Sequence, residues 1–267
     1  MSREPGWYMN VTPSLPLKEG TLKVEGLEIF YRTGGSGAPL LLLSGFTQTG
    51  HLWYPFLDEL GKEYTVIVPD LPGHGRSTAF SGRFSHRKTA EILFGLLDKL
   101  GLDRCRGMGL SSGATILIFM ALQQPARIEA MVLISSAHRW MKQGREPFRD
   151  IRWETIRPGW RESLLRQHPG GEAQSRALID EVRAMVDSYE DFDTSPEHLS
   201  TITARTLVAY GDRDRLDPVE EAVEAYRAIP NAALWVVPGR GHGVGMLEDP
   251  EGFLKVVMAF LREGWPG

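Results

Sequence analysis

A serine with a glycine two residues before it and another two residues after it is the first feature of this sequence that predicts chemistry. Residues 109–113 read Gly-Leu-Ser-Ser-Gly, so Ser111 is centred in the pattern Gly-x-Ser-x-Gly. Mostly apolar residues 105–110, typical of a buried strand, precede it, and the apolar helical residues 114–122 follow. Between a strand and a helix, this pattern makes a tight turn that lifts the hydroxyl clear of the sheet, near the positive end of the helix. Ser111 is therefore the predicted nucleophile.

A serine hydroxyl is a poor nucleophile unless a base takes its proton, and the base needs a group that orients it. Acidic residues follow the predicted strand at 206–210, and a histidine closes the Gly-Arg-Gly-His run after the predicted strand at 234–237. The carboxyl ends of the strands are the edge at which the sites of open α/β sheets assemble. His242 is the predicted base, and three acids are candidates for its partner: Asp212, Asp214 and Asp217.

The other histidines are weaker candidates for the base. His74 precedes Ser111 in the chain, whereas this arrangement places the acid and the base after the serine. Five further histidines are most simply interpreted as surface or lid residues: His51, His86, His138, His168 and His198. His138 and the nearby Trp140 follow a predicted strand end, so both are also candidates for a pocket wall.

Cofactor and metal motifs are missing from the sequence. A dinucleotide loop opening at residues 107–109 fails because its sixth position is Ser112 instead of glycine, and there is no Gly-x-x-x-x-Gly-Lys-Ser/Thr segment. The single cysteine, Cys105, excludes multi-cysteine zinc sites, and there is no His-Glu-x-x-His. We therefore predict neither a cofactor nor a metal.

Charge and hydropathy limit the classes of partner that this chain is expected to bind. The 267 residues include 30 Lys and Arg against 34 Asp and Glu, which leaves no basic excess for nucleic acid. The longest apolar runs, residues 39–43 and 116–122, are far shorter than the ~20 residues that span a bilayer. Residues 1–16 lack the cationic start and apolar core of a signal peptide. These features predict a cytoplasmic protein that binds a small-molecule substrate and neither nucleic acid nor membrane; a trimmed secreted form would look the same, and the oligomeric state is not predicted.

Short apolar runs alternate with helical patterns along most of the chain. Strands are predicted at residues 40–43, 64–68, 105–110, 131–134, 206–209 and 234–237, after a hairpin over residues 21–32. Helices are predicted at residues 51–60, 89–100, 113–124, 219–228 and 250–262. This alternation predicts an α/β fold with a mostly parallel central sheet of about eight strands flanked by helices.

One stretch interrupts the alternation. Residues 138–200 contain no convincing strand but three tryptophans, a polar helical run at 172–188 and an acidic turn. We therefore predict an irregular segment at residues 1–20, a core formed by residues 21–137 and 201–267, and a helical lid at residues 138–200, inserted late in the sheet. A long insertion of this kind is usually functional.

The motifs in combination resemble the α/β-hydrolase fold family, from about residue 21 to residue 263. The family's Gly-x-x-Asp falls on Gly211 and Asp214, and its Gly-His falls on Gly241 and His242. The family segment Asp-x-Pro-Gly-x-Gly-x-Ser is matched at residues 70–77. The resemblance thus implies that Asp214 is the acid.

The resemblance also implies an oxyanion hole made of two backbone N–H groups. One belongs to Ser112, directly after the nucleophile, and the other to Phe46, after the first parallel strand. Ser44 stands where many relatives have histidine, which weakens any analogy of substrate. Five residues are the predicted pocket: Trp53, His138, Trp140, Trp153 and Trp160.

Together these residues predict a serine hydrolase that cleaves a small to medium, mainly apolar carboxylic ester through an acyl-enzyme. Serine at the nucleophile position argues against dehalogenases and dienelactone hydrolases. Lactonases, carbon–carbon bond hydrolases, amidases and cofactor-free perhydrolases remain open, because they share the triad. A second class is a hydrolase-fold receptor that binds a small molecule and turns it over slowly.

Overall fold

A computed structural model describes residues 7–136, 138–192 and 194–263. Four parts of the predicted organisation lie outside the described residues: the start of the irregular segment at 1–6, the core boundary at Ala137, Asp193 in the predicted lid, and the end of the core at 264–267.

The centre of the molecule is one sheet of eight strands, as the sequence predicts. The strands are β1 Lys18–Val24, β2 Leu27–Gly35, β3 Ala38–Leu43, β4 Tyr64–Pro69, β5 Cys105–Leu110, β6 Ile128–Ile134, β7 Arg205–Gly211 and β8 Ala232–Val237. Their order across the sheet is β1-β2-β4-β3-β5-β6-β7-β8. The pairs β1/β2 and β2/β4 are antiparallel and all the others are parallel. The six parallel strands therefore deliver their carboxyl ends to one edge.

The first hairpin begins earlier than the sequence predicts. Lys18 pairs with Thr33 and the strand pairing continues to a two-residue turn, in which Glu25 and Gly26 both have positive φ. That turn geometry matches the right-handed twist of the strands. The segment predicted to be irregular also contains a short 3-10 helix, Trp7–Asn10.

Helices cover both faces of the sheet. They are α1 Tyr54–Leu60, α2 His86–Lys99, α3 Ser112–Gln123, α4 Lys142–Arg149, α5 Pro158–Gln167, α6 Gly171–Met185, α7 Pro196–Leu199, α8 Val219–Ala228 and α9 Pro250–Glu263. Successive strand residues enter opposite cores: Leu41 and Leu43 pack on the side of α2 and α3, whereas Leu40 and Leu42 pack on the side of α1 and α9. This two-sided burial explains why the strands are continuous apolar runs. Among the described residues, no helix is long and apolar enough to cross a bilayer.

The stretch between β6 and β7 is helical throughout its regular elements. It contains α4, α5, α6 and α7, joined by turns and a short 3-10 helix, and its described residues include no strand. Arg145 ties it together, because its buried guanidinium donates hydrogen bonds to the carbonyls of Met185 and Val186. Asp191 links it to the sheet domain by accepting the backbone N–H of His86 at the start of α2.

The acidic residue of the Asp-x-Pro-Gly-x-Gly-x-Ser segment is Asp70, directly after β4, and its contacts explain why an acid stands there. Its buried carboxylate accepts hydrogen bonds from the N–H groups of Gly50 and Arg76, and Nη1 of Arg32 lies 3.4 Å from Oδ1. Gly75 has φ +50°, and a Cβ there would lie 2.1 Å from Oδ2 of Asp70. The carboxylate thus fixes two loops on the carboxyl edge of the sheet.

We expect Asp70→Ala to lower the free energy of unfolding by about 3–5 kcal/mol, because it leaves the buried Arg32 guanidinium paired only with the half-exposed Glu19 and removes the acceptor of two backbone N–H groups. Asp98→Ala is the matched control, since the Asp98 carboxylate contacts Arg127 but is 62% exposed; an exposed pair contributes about 0–1 kcal/mol. Urea unfolding at neutral pH measures both values. Equal effects of the two substitutions would contradict this role of Asp70.

Candidate active site

The turn between β5 and α3 presents Ser111 in a strained conformation. Ser111 has φ 54° and ψ −122°, a region that side chains rarely adopt, and α3 begins at the next residue. A Cβ on Gly109 would lie 2.5 Å from the backbone carbon of Gly113, and one on Gly113 would lie 2.4 Å from the carbonyl oxygen of Leu43. The two glycines of the pattern are therefore needed for the close approach of three backbone segments.

The loops after β7 and β8 bring Asp214 and His242 together. Nδ1 of His242 lies 2.9 Å from Oδ2 of Asp214. The other oxygen, Oδ1, accepts the N–H groups of Leu216 and Asp217, so the carboxylate is held in one orientation. Because Nδ1 is engaged by Asp214, Nε2 is the nitrogen of His242 that remains for a proton from a substrate or a nucleophile.

Charge and burial shift the pKa values of His242 and Asp214 in opposite directions. Burial of the imidazole lowers the pKa of His242, but the hydrogen bond to Asp214 and the charges of Asp217 and Asp214 outweigh it, so the pKa is raised above 6.5. Burial raises the pKa of Asp214, but the hydrogen bond and charge of His242 prevail and lower it. A carboxylate that stabilises an imidazolium is the electrostatic arrangement that proton transfer through histidine requires.

The two alternative acids occupy different positions. Oδ1 of Asp212 accepts the N–H of Gly239, 2.6 Å away, so it serves the loop backbone. Oδ2 of Asp217 lies 3.5 Å from Nδ1 of His242. Burial raises the pKa of Asp217 to about 7. Asp214 therefore makes the shorter contact, and Asp217 is a second carboxyl group beside the imidazole.

The loop after β3 lies against the serine turn. A Cβ on Gly45 would lie 3.5 Å from Cβ of Ser111. The hydrogen bonds of the described residues include none from the N–H groups of Phe46 or Ser112, so both donors remain for an acceptor from outside the chain. Ser112 is the first residue of α3, where the helix dipole adds positive potential.

Two buried histidines hold this loop through hydrogen bonds to Thr47. Nε2 of His74 accepts the N–H of Thr47, and Nε2 of His168 lies 3.2 Å from the carbonyl oxygen of Thr47. Thr47 has φ 66°, so both of its peptide groups are pinned in a strained conformation. Burial and the neighbouring His168 lower the pKa of His74 to about 3, which keeps its ring neutral. His74 therefore supports the loop, and both of its ring nitrogens are engaged by backbone groups.

Ser135 is a positioning residue that the sequence did not indicate. It follows β6, is fully buried and has φ 46°. Its Oγ accepts the N–H of Gly243, directly after His242, at 3.0 Å. The loop that carries His242, after β8, is thus tied to the end of β6, on the far side of β7.

Ser111, Ser112, Phe46 and His242 line one cavity of about 790 Å3. The helical stretch between β6 and β7 covers it with apolar side chains that include Trp140, Phe148, Ile151, Trp160, Val182 and Met185. Polar groups are fewer and include Asp217, Gln167 and the exposed Arg157. Tyr8 of the N-terminal 3-10 helix also contributes, a contact that no sequence pattern indicated.

The structure differs from the predicted pocket at three of five positions. Trp140 and Trp160 line the cavity, but Trp53, His138 and Trp153 do not. Trp53 is fully buried and packs on Phe56 in the core between the sheet and α1. Trp153 packs inside the helical stretch beneath the guanidinium groups of Arg161 and Arg176. His138 faces the carboxylates of α8. Sequence position indicated the right segments, but side-chain direction decided which tryptophans reach the cavity.

A model of the alpha/beta hydrolase family matches residues 40–256, a range that begins in β3 and ends in α9. The chain belongs to the alpha/beta hydrolase family. It is 29% identical to "Putative carbamate hydrolase RutD" of Pseudomonas syringae pv. syringae, over 87% of this chain and 97% of the relative. It is 27% identical to 2-hydroxy-6-oxononadienedioate/2-hydroxy-6-oxononatrienedioate hydrolase 2 of Pseudomonas putida, over 92% and 94%.

A solved structure of an esterase is also similar to this chain in three dimensions. A thermophilic esterase from Thermogutta terrifontis, with malate bound, superimposes with a TM-score of 0.75 at 26% identity, over 92% of this chain and 98% of that one. The names of these three proteins refer to a carbamate, to an oxononadienedioate and to esters, so the relatives of this alpha/beta hydrolase differ in substrate. The family identity supports hydrolysis as the class of reaction.

We expect His242 to titrate above pH 6.5 in NMR spectra of the histidine rings, because its pKa is raised by Asp214 and Asp217. Asp214→Asn removes an anion that stabilises the imidazolium, so the pKa of His242 should fall below the wild-type value. Asp212→Asn, which alters only the contact with Gly239, should leave it nearly unchanged. A pKa that responds to Asp217→Asn but not to Asp214→Asn would assign the acid to Asp217 instead.

Proposed function

We propose that this alpha/beta hydrolase is a serine esterase that cleaves small to medium, mainly apolar carboxylic esters through an acyl-enzyme. The observation that carries the proposal is the cavity shared by Ser111 and His242, with Nδ1 of the histidine 2.9 Å from Asp214. A nucleophile after β5, an orienting carboxylate after β7 and a base after β8, all at one edge of the sheet, form the arrangement that acyl transfer requires.

In the first half-reaction, Oγ of Ser111 attacks the ester carbonyl while Nε2 of His242 takes the hydroxyl proton. The carbon–oxygen double bond becomes a single bond, and its electron pair moves to the carbonyl oxygen. The N–H groups of Phe46 and Ser112 stabilise that oxyanion; losing one such donor typically costs about 10²–10³ in turnover. Collapse of the intermediate breaks the bond to the alcohol, which leaves with the proton from His242.

In the second half-reaction, water replaces the alcohol. Nε2 of His242 takes a proton from the water, whose oxygen attacks the acyl carbonyl. The second tetrahedral intermediate breaks the bond to Ser111, and the imidazolium returns its proton to Oγ. Asp214 stays ionised throughout and stabilises the imidazolium in each half.

The cavity supports a mainly apolar substrate. Its volume of about 790 Å3 suits a ligand of drug-like size, and its covering side chains are largely aromatic and aliphatic. The helical stretch of residues 138–200 then acts as the lid, because α4, α5 and α6 all contribute lining residues. Removal of water by that cover strengthens the electrostatic interactions at the oxyanion site.

Turnover of a series of p-nitrophenyl esters, from acetate to longer acyl chains, tests the proposal. We expect multiple turnovers with the wild type and a fall of at least about 10³ in kcat for Ser111→Ala. A fluorophosphonate probe should label the wild type on the peptide that contains Ser111 and fail to label Ser111→Ala. Ser81→Ala, which removes an exposed serine outside the cavity lining, is the control for both measurements.

Two outcomes would overturn the esterase. Saturable binding of a small molecule with negligible wild-type turnover would favour the receptor class. Hydrolysis of lactones or of carbon–carbon bonds adjacent to carbonyls, without hydrolysis of esters, would be consistent with the proposed triad but would assign a different substrate class.

The pH profile distinguishes His242 from His74. We expect His74→Leu to lower kcat/KM about 10–100-fold, because the loop that carries Phe46 loses the acceptor for Thr47 N–H. The acidic limb should keep its wild-type position above pH 6.5, since it follows ionisation of His242. His74→Gln, whose side-chain oxygen can accept the same N–H, should recover part of the rate. Loss of the acidic limb in His74→Leu would restore His74 as the base.

A further inference from the structure

His138, Glu221 and Glu224 form a second cluster of ligand-type side chains. Their donor atoms lie within 4.8 Å of one another. His138 follows β6, and the two glutamates lie one turn apart on α8, so their side chains project from the same side of the helix. None of the three lines the catalytic cavity. We propose that this cluster binds a divalent transition-metal ion of the zinc class.

Unpartnered polar atoms point to a ligand at this cluster. Within the described part of the chain, both ring nitrogens of His138 and Oε2 of Glu221 are buried without a hydrogen-bond partner. The side chain of His138 is fully buried and that of Glu221 is 5% exposed. Such groups are rare in folded proteins because an unmade hydrogen bond in the interior leaves the whole desolvation cost uncompensated. A cation between them would engage the nitrogen and the oxygen together.

The spacing and the donor types fit zinc. One ring nitrogen of His138 and one carboxylate oxygen of each glutamate lie within 4.8 Å of one another, and Nδ1 of His138 lies 3.4 Å from Oε2 of Glu221. Zinc binds imidazole nitrogen and carboxylate oxygen at about 2.0–2.2 Å in tetrahedral geometry, which separates neighbouring ligand atoms by roughly 3.3 Å. One ring nitrogen of His138 and one oxygen of each carboxylate, all within 4.8 Å of one another, therefore need to move closer by about an ångström to share an ion, and the other ring nitrogen stays outside its coordination shell.

Arg139 is the competitor of the ion. Its guanidinium contacts the carboxylate of Glu224 and lies 3.8 Å from Oε1 of Glu221. The Arg139 side chain is 40% exposed, so it can turn into solvent when an ion takes its place. Glu224, whose side chain is 30% exposed, also lines a surface groove with Val223 and Arg227, so this member of the cluster is accessible from solvent.

An ion here would join the lid to the sheet domain. His138 lies at the start of the 138–200 stretch, and its carbonyl oxygen accepts hydrogen bonds from the N–H and Oγ1 of Thr194, near the end of that stretch. The glutamates belong to α8 of the core. Metal binding would therefore stabilise the base of the lid without contacting the reacting atoms.

Calorimetric titration of the chelator-treated full-length protein with Zn2+ tests the site. We expect one ion per chain for the wild type and for Glu220→Gln, which removes an exposed charge from the same helix. Glu224→Gln should weaken binding by at least about 10–100-fold. Arg139→Gln should bind Zn2+ more tightly than the wild type, an effect that a purely structural ion-pair network would not produce. X-ray absorption of the bound zinc should show nitrogen and oxygen neighbours at about 2.0–2.1 Å and no sulfur.

The triad is the alternative zinc site, because Asp214, Asp217 and His242 also lie within ligand distance of one another. Asp217→Asn removes one of those ligands and should leave the titration unchanged. Zinc binding that is lost in Asp217→Asn but retained in Glu224→Gln would overturn the proposal. Failure of the wild type to bind at about 1 mM free Zn2+ would do the same.

Discussion

The close approach of three backbone segments at the end of β5 is the constraint on which the site depends. Gly109, Gly113 and the carbonyl of Leu43 meet at distances that leave no room for a Cβ on either glycine. This contact forces Ser111 into its positive-φ conformation and starts α3 at the next residue. The backbone positions of Ser111, which carries the hydroxyl, and of Ser112, which carries the N–H, are therefore fixed relative to each other in the free protein. Such preorganisation is what electrostatic stabilisation of an anion needs.

Buried polar groups extend that constraint to the neighbouring loops. Asp70 fixes the loops after β4 and before α1, His74 and His168 hold both peptide groups of Thr47, and Ser135 holds Gly243. These contacts lie in the interior, where hydrogen bonds are little screened and an unmade bond is costly. The carboxyl edge of the sheet is thus a set of loops that constrain one another, with the two positive-φ residues Thr47 and Ser135 at their contacts.

The helical stretch between β6 and β7 contacts this edge of the sheet in two ways. Its apolar side chains cover the cavity, and its polar residues Gln167, His168 and Asp191 contact the loops of the sheet domain. This cover and the carboxyl edge of the sheet are therefore coupled physically, because His168 directly follows α5 and also holds the loop of Thr47. Movement of this stretch would alter the loop that carries Phe46 and Thr47 as well as access to the cavity.

The sequence by itself determined the sheet, its flanking helices and the three strand ends that carry Ser111, Asp214 and His242, because apolar periodicity and glycine-dependent turns are local properties. It determined β5 and α8 to the residue, and β7 to within two residues at each end. Only the tertiary structure decided which of the aspartates meets the imidazole at 2.9 Å, which tryptophans reach the cavity and that His74 supports a loop. It also brought His138 to Glu221 and Glu224. These contacts join residues far apart in the chain, and their geometry depends on side-chain direction and on burial, which no local pattern encodes.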